Sequence, residues 1–450
     1  MIMPFPRPSL ASPITRRQLI GGLAAGAALS LMPRLGWGAD PSAGGGSLQW
    51  CWSGGISDGA ASVVGCLPGI ERVALEIRDA GGQRRVQALA PQPTEHGIVR
   101  FALSGLQADT VYSYFFHDGR QAVAGGLFRT FPLVGQPANF RIACASCNRQ
   151  GNNPVFQAIA HQNPLFFLHM GDLHYRDIRQ NEPQRYRDAY AAVVGDPAQM
   201  RLYRSRGIAY MWDDHDYGPN DSGHDSPSRE AAHTAYRQCA PHYPLEIPAE
   251  SPERAAPIGQ AFSVGRVRFI LTDLRSEHSH QAGAHMGELQ KKWFFTQLLE
   301  ARQNHGLVVW MSSIPYISSR GRDNWNGGAV ERREIANFIK RHEIPICILA
   351  GDAHMVAIDD GSNADYADGG GAPIPVFQAA SLGAGPSFKG GPYNIGARPG
   401  RQQFGIMDVE DDGQTIRVSW SARDGSDGIG DAVVTDRDND TPIQHQFIIG

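Results

Sequence analysis

The chain has 450 residues, of which 42% are apolar, enough for a substantial core and for more than one domain. A formal net charge of −4 excludes binding to polyanions by bulk electrostatics, so nucleic acid is not an expected partner. No apolar run is long enough to span a bilayer, so the chain is not expected to be an integral membrane protein.

Residues 1–39 read as an export signal. Thr15-Arg16-Arg17-Gln18-Leu19 precedes a mildly apolar run from Leu19 to Met32, and small residues follow it up to Ala39. The paired arginines make it a twin-arginine signal, with the Tat translocase as partner and the periplasm or exterior as destination. That route carries folded passengers, which suits a cofactor loaded in the cytoplasm. Export also permits disulfides. Cys51 and Cys66 flank a Gly/Ser/Asp turn and are candidates for a bridge across a hairpin.

Residues 40–135 read as a small all-β module. Strand-like runs occur at Leu48 to Trp52, Arg72 to Ile77, Ile98 to Leu103, Val111 to His117 and Gly126 to Phe131. The stretch Leu106 to Tyr112 resembles the tyrosine corner of fibronectin-III-like sandwiches.

From residue 136 to 450 the pattern becomes α/β. Buried strands are expected at Phe140 to Ala145, Leu165 to Met170, Ile208 to Met211, Phe269 to Thr272, Leu307 to Met311, Ile346 to Ala350 and Pro375 to Ala379. Helices are expected between them at Pro154 to Gln162, Glu182 to Val194, Pro197 to Arg206, Ser228 to Gln238, Met286 to Asn304 and Ala329 to His342. The last fifty residues return to strands. Their loop Asp436-x-Asp438-x-Asp440 resembles the start of a calcium loop, but it lacks that motif's glycine and distal glutamate and reads as solvated.

Four of the apolar runs end in chemistry-bearing groups: Ser146-Cys147, Gly171-Asp172-Leu173-His174-Tyr175, Trp212-Asp213-Asp214-His215-Asp216 and Gly351-Asp352-Ala353-His354. Ligands of α/β folds bind beyond the carboxyl ends of the strands, and these segments lie there. Asp172 at a bend is placed to bridge two cations, and Tyr175 is close enough to reach one as a phenolate. Adjacent Asp213 and Asp214 repel unless a cation or arginine lies between them, and one of the two, Asp214, is expected to face the site. His215 is then placed to donate a proton to a leaving oxygen. Asn220 offers a further oxygen. Asp352 and His354 share one side of an extended exit, and together they can supply an oxygen to one metal and an imidazole nitrogen to the other. Thiolate, phenolate and imidazole around one site favour iron in its ferric state, while carboxylates and an asparagine oxygen favour a harder ion, calcium or manganese. Two such cations roughly 3.5–4 Å apart activate a bridging hydroxide and neutralise a phosphoryl group. Arg149, Arg275 and Lys389 are candidate phosphate clamps, Arg149 first because it lies two residues past Cys147.

The order of these motifs, with Thr272-Asp273-Leu274-Arg275, Met286-Gly287-Glu288-Leu289-Gln290, Trp293 and Asp323-Asn324-Trp325, resembles the PhoD-like alkaline phosphatases of the calcineurin-like metallophosphoesterase superfamily. The resemblance implies a four-layer core, a β-sandwich flanked by helices, behind a fibronectin-III-like domain. It implies hydrolysis of phosphomonoesters or phosphodiesters by in-line attack with Fe(3+) and Ca(2+). Cys147, Asp172, Tyr175 and His354 would hold the iron. Asp172, Asp214 and Asp352, with Asn220, would hold the calcium, and His215 would assist the leaving group. The superfamily's usual histidine near Ser312-Ser313-Ile314-Pro315 is absent. His174 is atypical within its motif, either a substrate contact or polar filler. A diesterase acting on lipid headgroups or wall polymers, and a non-catalytic metal-binding surface protein, are the competing readings.

Overall fold

A computed structural model describes residues 48–89, 96–118, 121–149, 151, 153–279 and 281–450. The expected signal lies outside the described residues. The first strands are β1 (Trp50–Gly54), β2 (Ala60–Cys66), β3 (Ala74–Asp79), β4 (Arg84–Leu89), β5 (Ile98–Ser104), β6 (Val111–His117) and β7 (Ala122–Arg129). Next come β8 (Phe140–Ala145), α1 (Val155–His161), β9 (Phe166–Met170), α2 (Pro183–Val194), α3 (Pro197–Ser205), β10 (Gly207–Met211), α4 (Asp214–Tyr217) and α5 (Arg229–Cys239). The second half holds β11 (Gln260–Val264), β12 (Val267–Leu271), α6 (Gly287–Asn304), β13 (Leu307–Ser312), α7 (Ala329–His342), β14 (Ile346–Ala350), β15 (Met355–Asp359) and β16 (Val376–Ala379). It closes with β17 (Gly396–Pro399), β18 (Gln403–Asp411), β19 (Ile416–Asp424) and β20 (Gln444–Ile449).

Two large sheets stack face to face. One has nine strands in the order β20-β19-β18-β8-β9-β10-β1-β2-β5, and the other has seven in the order β11-β12-β13-β14-β16-β15-β17. Period-two burial assigns the two faces of the second sheet. Val309 and Met311 of β13 and Cys347 and Leu349 of β14 pack into the sandwich. Val308, Trp310, Ile346 and Ile348 face outward onto Phe294 and Leu298 of α6 and Ile335 and Ile339 of α7. Both faces are covered, so these strands are continuous apolar runs, as the sequence shows. Helices α1, α2, α3 and α5 bury Phe156, Tyr190, Tyr203 and Tyr236 against the nine-stranded sheet. The result is the expected four-layer arrangement of helices, sheet, sheet and helices.

The all-β region contributes to two sheets. Strands β3, β4, β6 and β7 form a four-stranded sheet of their own in the order β4-β3-β6-β7. Strands β1, β2 and β5 instead extend the nine-stranded sheet, through parallel pairing of β1 with β10. The tyrosine corner forms: the Tyr112 hydroxyl accepts a 2.9 Å hydrogen bond from the Gln107 amide. The hairpin holding Cys51 and Cys66 also forms, but its register pairs Trp50 with Cys66 and Cys51 with Gly65. Neighbours on a strand point to opposite faces, so the two thiols diverge and no bridge joins them. Asp436 departs from the solvated-loop expectation. It is buried, and its carboxylate accepts the Ala397 amide of β17 at 2.8 Å.

Candidate metal centre

Strands β8, β9 and β10 run parallel in one sheet, and β13 and β14 in the other. Three chemistry-bearing residues each stand two positions past a strand: Cys147 after β8, Asp172 after β9 and Asp352 after β14. All three have left-handed backbone, with φ of 64°, 57° and 64°. This conformation costs a non-glycine residue about 1–2 kcal/mol, so the surroundings must enforce it. They do so through hydrogen bonds between the exits. The Cys147 amide donates to Gly171 O at 3.1 Å, the Asn148 amide to Asp172 O at 2.8 Å, and the Gly351 amide to Ser312 O at 3.1 Å. Gly171 is needed for close approach, since a Cβ there would lie 2.5 Å from the Asp213 Cβ.

The bends converge the side chains into overlapping sets. Donor atoms of Cys147, Asp172 and His354 lie within 4.8 Å of one another, as do those of Asp172, Asp213 and Asp352, and those of Asp172, Asp214 and His215. Asp172 is common to all three, the place of a bridging ligand. Tyr175 joins the first set: its hydroxyl donates to Asp172 Oδ2 at 2.7 Å and lies 3.3 Å from His354 Nε2. Asp352 and His354 thus serve different sets. The left-handed turn at Asp352, rather than an extended exit, separates them. Both Asp213 and Asp214 face the centre, where one was expected. Arg275 makes this tolerable: its Nε donates to Asp213 Oδ1 at 2.5 Å, and its Nη2 lies 3.8 Å from Asp214 Oδ1.

The carboxylates are under-satisfied in a way that fits cations. Asp172 Oδ1, Asp213 Oδ2, Asp214 Oδ1 and Asp352 Oδ2 are buried without a hydrogen-bond partner among the described residues. Leaving such an atom unmatched costs about 1–3 kcal/mol each. Burial, then repulsion from Asp214 and Asp213, pushes the Asp172 carboxyl well above its usual range. Burial and Asp323 do the same for Asp352, and burial raises Asp213 to about 6 despite Arg275. Burial likewise raises the Cys147 thiol and the Tyr175 phenol. A bound cation would favour the ionised form of each of these groups. His354 is ready for one: its Nδ1–H donates to Gly385 O at 2.6 Å, which leaves the Nε2 lone pair facing Tyr175 and Asp172. Burial lowers its pKa and keeps the ring neutral.

The remaining expected residues are placed as follows. His215 stacks on Tyr175 with centroids 4.0 Å apart, and its Nδ1 meets Asp177 Oδ1 at 2.5 Å. Arg149 is exposed, with its guanidinium carbon 5.8 Å from the Tyr175 ring centre. Arg275 is buried and held by Asp213 and, at 2.8 Å, by Asp323. Lys389 Nζ donates to Asp352 Oδ1 at 2.6 Å and to Asp323 Oδ2 at 3.3 Å. These two cations are therefore engaged by carboxylates. Asn220 is exposed; its neighbour Asp221 instead joins Asp214 and Asp323 in a fourth set of oxygens, and the Asp221 amide donates to Asp214 Oδ2 at 2.6 Å. His174 is buried between Tyr186 and Tyr190, and burial lowers its pKa to about 3. In the segment lacking the superfamily's histidine, the Ser313 hydroxyl donates to Asp213 Oδ1 at 2.8 Å.

Sequence reasoning gave no role to Asp177, Asp221 or Asp323. Asp323 carried the best signal, within the Asp-Asn-Trp motif. Burial opposes its ionisation, yet Arg275 and Lys389 together hold its pKa below the carboxylate range. It ties the two cationic side chains to the centre.

A β-sandwich between helices, with clustered acids, imidazole, thiol and phenol at its strand ends, defines a metallophosphatase. The chain matches the PhoD-like phosphatase family over residues 140–402 and belongs to that family. It is a phosphoester hydrolase by that membership. Two solved structures share its fold. One, titled as the structure of PhoD, is 16% identical with a TM-score of 0.67, covering 89% of each chain. The other, the purple acid phosphatase PPD1 from yellow lupin (Lupinus luteus) seeds, is 14% identical with a TM-score of 0.64, covering 90% of this chain and 74% of that one. No curated protein matches the sequence.

Proposed function

We propose that this chain is an exported phosphoesterase, acting on phosphomonoesters or phosphodiesters, that works with two cations. Cys147, Asp172, Tyr175 and His354 would hold iron. Asp172, Asp214 and Asp352, with Asp213 beside them and Asn220 a more distant oxygen, would hold calcium or manganese. The observation that carries this reading is the set of four buried carboxylates, each with one unpartnered oxygen, around the shared Asp172. When bound, the cations supply an acidified water and neutralise phosphoryl charge. The chain's own residues do the rest. Burial favours the protonated Cys147 thiol and Tyr175 phenol, and both would give up their protons on holding a cation. Arg149 stands at the exposed side of Tyr175 to orient a phosphoryl oxygen. His215, held at Nδ1 by Asp177, presents Nε2 to the leaving oxygen.

Phosphate release from an aryl monoester and an aryl diester tests the reading, alongside metal analysis. The protein should contain both metals, and Asp172→Ala should abolish turnover. A visible charge-transfer band lost in Tyr175→Phe would identify ferric tyrosinate. Full activity in both Asp172→Ala and metal-stripped protein would end the proposal. The arginine pair within residues 1–39 supports twin-arginine export. Replacing Arg16 and Arg17 by lysine should retain the protein in the cytoplasm, and unchanged secretion would count against that route.

A further inference from the structure

Cationic side chains around this centre fall into two groups. Arg275 and Lys389 are engaged by Asp213, Asp323 and Asp352. Arg149 and Arg401 are exposed, and neither is ion-paired among the described residues. Both belong to the same wall. The Arg149 guanidinium lies over Tyr175. Arg401 follows Gly400, whose amide donates to His354 O at 3.3 Å. Its Nη2 stands 3.4 Å from where a Cβ on Gly385 would be, and Gly385 O is the acceptor for His354 Nδ1. The loop between them is tied to both: the Leu382 amide donates to Ser146 O at 2.9 Å, and those of Gly383 and Ala384 to Cys147 O at 3.0 Å. Two guanidiniums thus flank the Tyr175–His354 side of the centre without an internal counter-charge, on a chain of net charge −4.

An exposed arginine needs no partner, but an unpaired pair beside a phosphoryl site focuses the local potential. Each fork matches two phosphate oxygens. In the function proposed above, Arg149 orients the phosphoryl group at the cation centre and Arg401 has no part in it. Arg401, on the far side of Gly385, is left for a second anion.

We propose that Arg401, acting with Arg149, forms a second anion subsite, and that the preferred ligands carry two phosphate groups, one at the cation centre and one on Arg401. This rests on the phosphoesterase reading for the first group only. Such ligands come from two sources, directly linked phosphates and phosphates spaced by a carbon chain.

The test is calorimetric binding to the metal-loaded protein and so needs no turnover. The probes are inorganic phosphate, methylenebisphosphonate and propane-1,3-diyl bisphosphate. At least one bisphosphate should bind about tenfold more tightly than phosphate, the yield of one additional charge-assisted contact. Which one does so identifies the spacing. Arg401→Gln should reduce that preference to about threefold or less, and Arg401→Lys should restore part of it. Because bisphosphates also chelate cations, the preference must fall in Arg401→Gln for the proposal to stand. Equal binding of all three probes, or a preference unchanged in Arg401→Gln with the fold intact by thermal denaturation, would overturn it. Failure of the hydrolase reading shows itself separately, as no phosphate release from any ester.

Discussion

Asp177→Asn tests the acid–base role of His215. A carboxylate only accepts, so the 2.5 Å contact places a proton on His215 Nδ1 and leaves Nε2 as the nitrogen for proton transfer, on a ring grouped with Asp172 and Asp214. Asparagine keeps an acceptor oxygen but can also turn its NH2 toward the ring, so it no longer fixes which ring nitrogen carries the proton. General acid catalysis is worth about 10²–10⁴-fold in rate, and a positioning partner controls only part of that. The Asp177 side chain is 48% exposed, so water screens its charge and replaces some of its hydrogen bonding. The expected loss in kcat is therefore about 10-fold for Asp177→Asn and about 100-fold for His215→Asn, each measured on an alkyl phosphate, whose leaving oxygen needs a proton. On a nitrophenyl ester, whose oxide leaves unprotonated, both losses should shrink to about threefold or less. KM should change little, because neither residue is argued to bind the ground state. Equal losses on alkyl and aryl esters would refute the assignment, since general structural damage does not read the leaving group.

Chelating the cations at neutral pH should be accompanied by proton uptake, because Asp172, Asp352 and Cys147 have raised pKa values without them; an indicator dye in weak buffer reads this, and no uptake would contradict the ligand set. Arg275→Met leaves Asp213 buried without its counter-charge and Asp323 with Lys389 alone, and should cost about 3–5 kcal/mol of stability in denaturant melts. His169 is fully buried in β9, its two ring nitrogens without hydrogen bonds among the described residues, and burial lowers its pKa from 6.5 to about 3. The folded state therefore excludes a proton that the unfolded chain takes up, so this stability is present above pH 6.5 and is lost as the pH falls toward about 3. Between pH 6.5 and about 5 the loss should be about 2 kcal/mol, and His169→Phe should remove that share of the pH dependence.

Much of the fold was legible because its strands are buried on both faces. Apolar runs such as Ile346–Ala350, and helices with a clear apolar stripe such as Ala329–His342, are found where the pattern places them. Strands lacking such a run escaped: β4 carries two arginines and β17 reads Gly-Ala-Arg-Pro. The division of the all-β region between two sheets was hidden for another reason. It depends on β1 meeting β10, a pairing between strands about 150 residues apart that no local signal records.

The centre was legible as a set of residues but not as a set of angles. Alternation on an extended exit put Asp352 and His354 on one side, each able to serve a different metal, and charge repulsion allowed only one of Asp213 and Asp214 to look inward. A left-handed bend at Asp352 stands where an extended exit was expected, and Arg275 beside Asp213 and Asp214 lets both face the centre. Each bend turns a strand's last peptide across its neighbour, so Cys147 hangs on Gly171 and Asn148 on Asp172. One exit cannot relax without releasing the next. Their strain is thus shared, and so is the position of Asp172, the residue common to three of the donor sets. A substitution such as Gly171→Ala should for this reason damage cation binding more than overall stability. The added Cβ would displace Asp213, while the apolar strand beneath it stays packed. Metal affinity measured beside the thermal midpoint separates the two effects, and a large fall in the midpoint with unchanged affinity would refute the coupling.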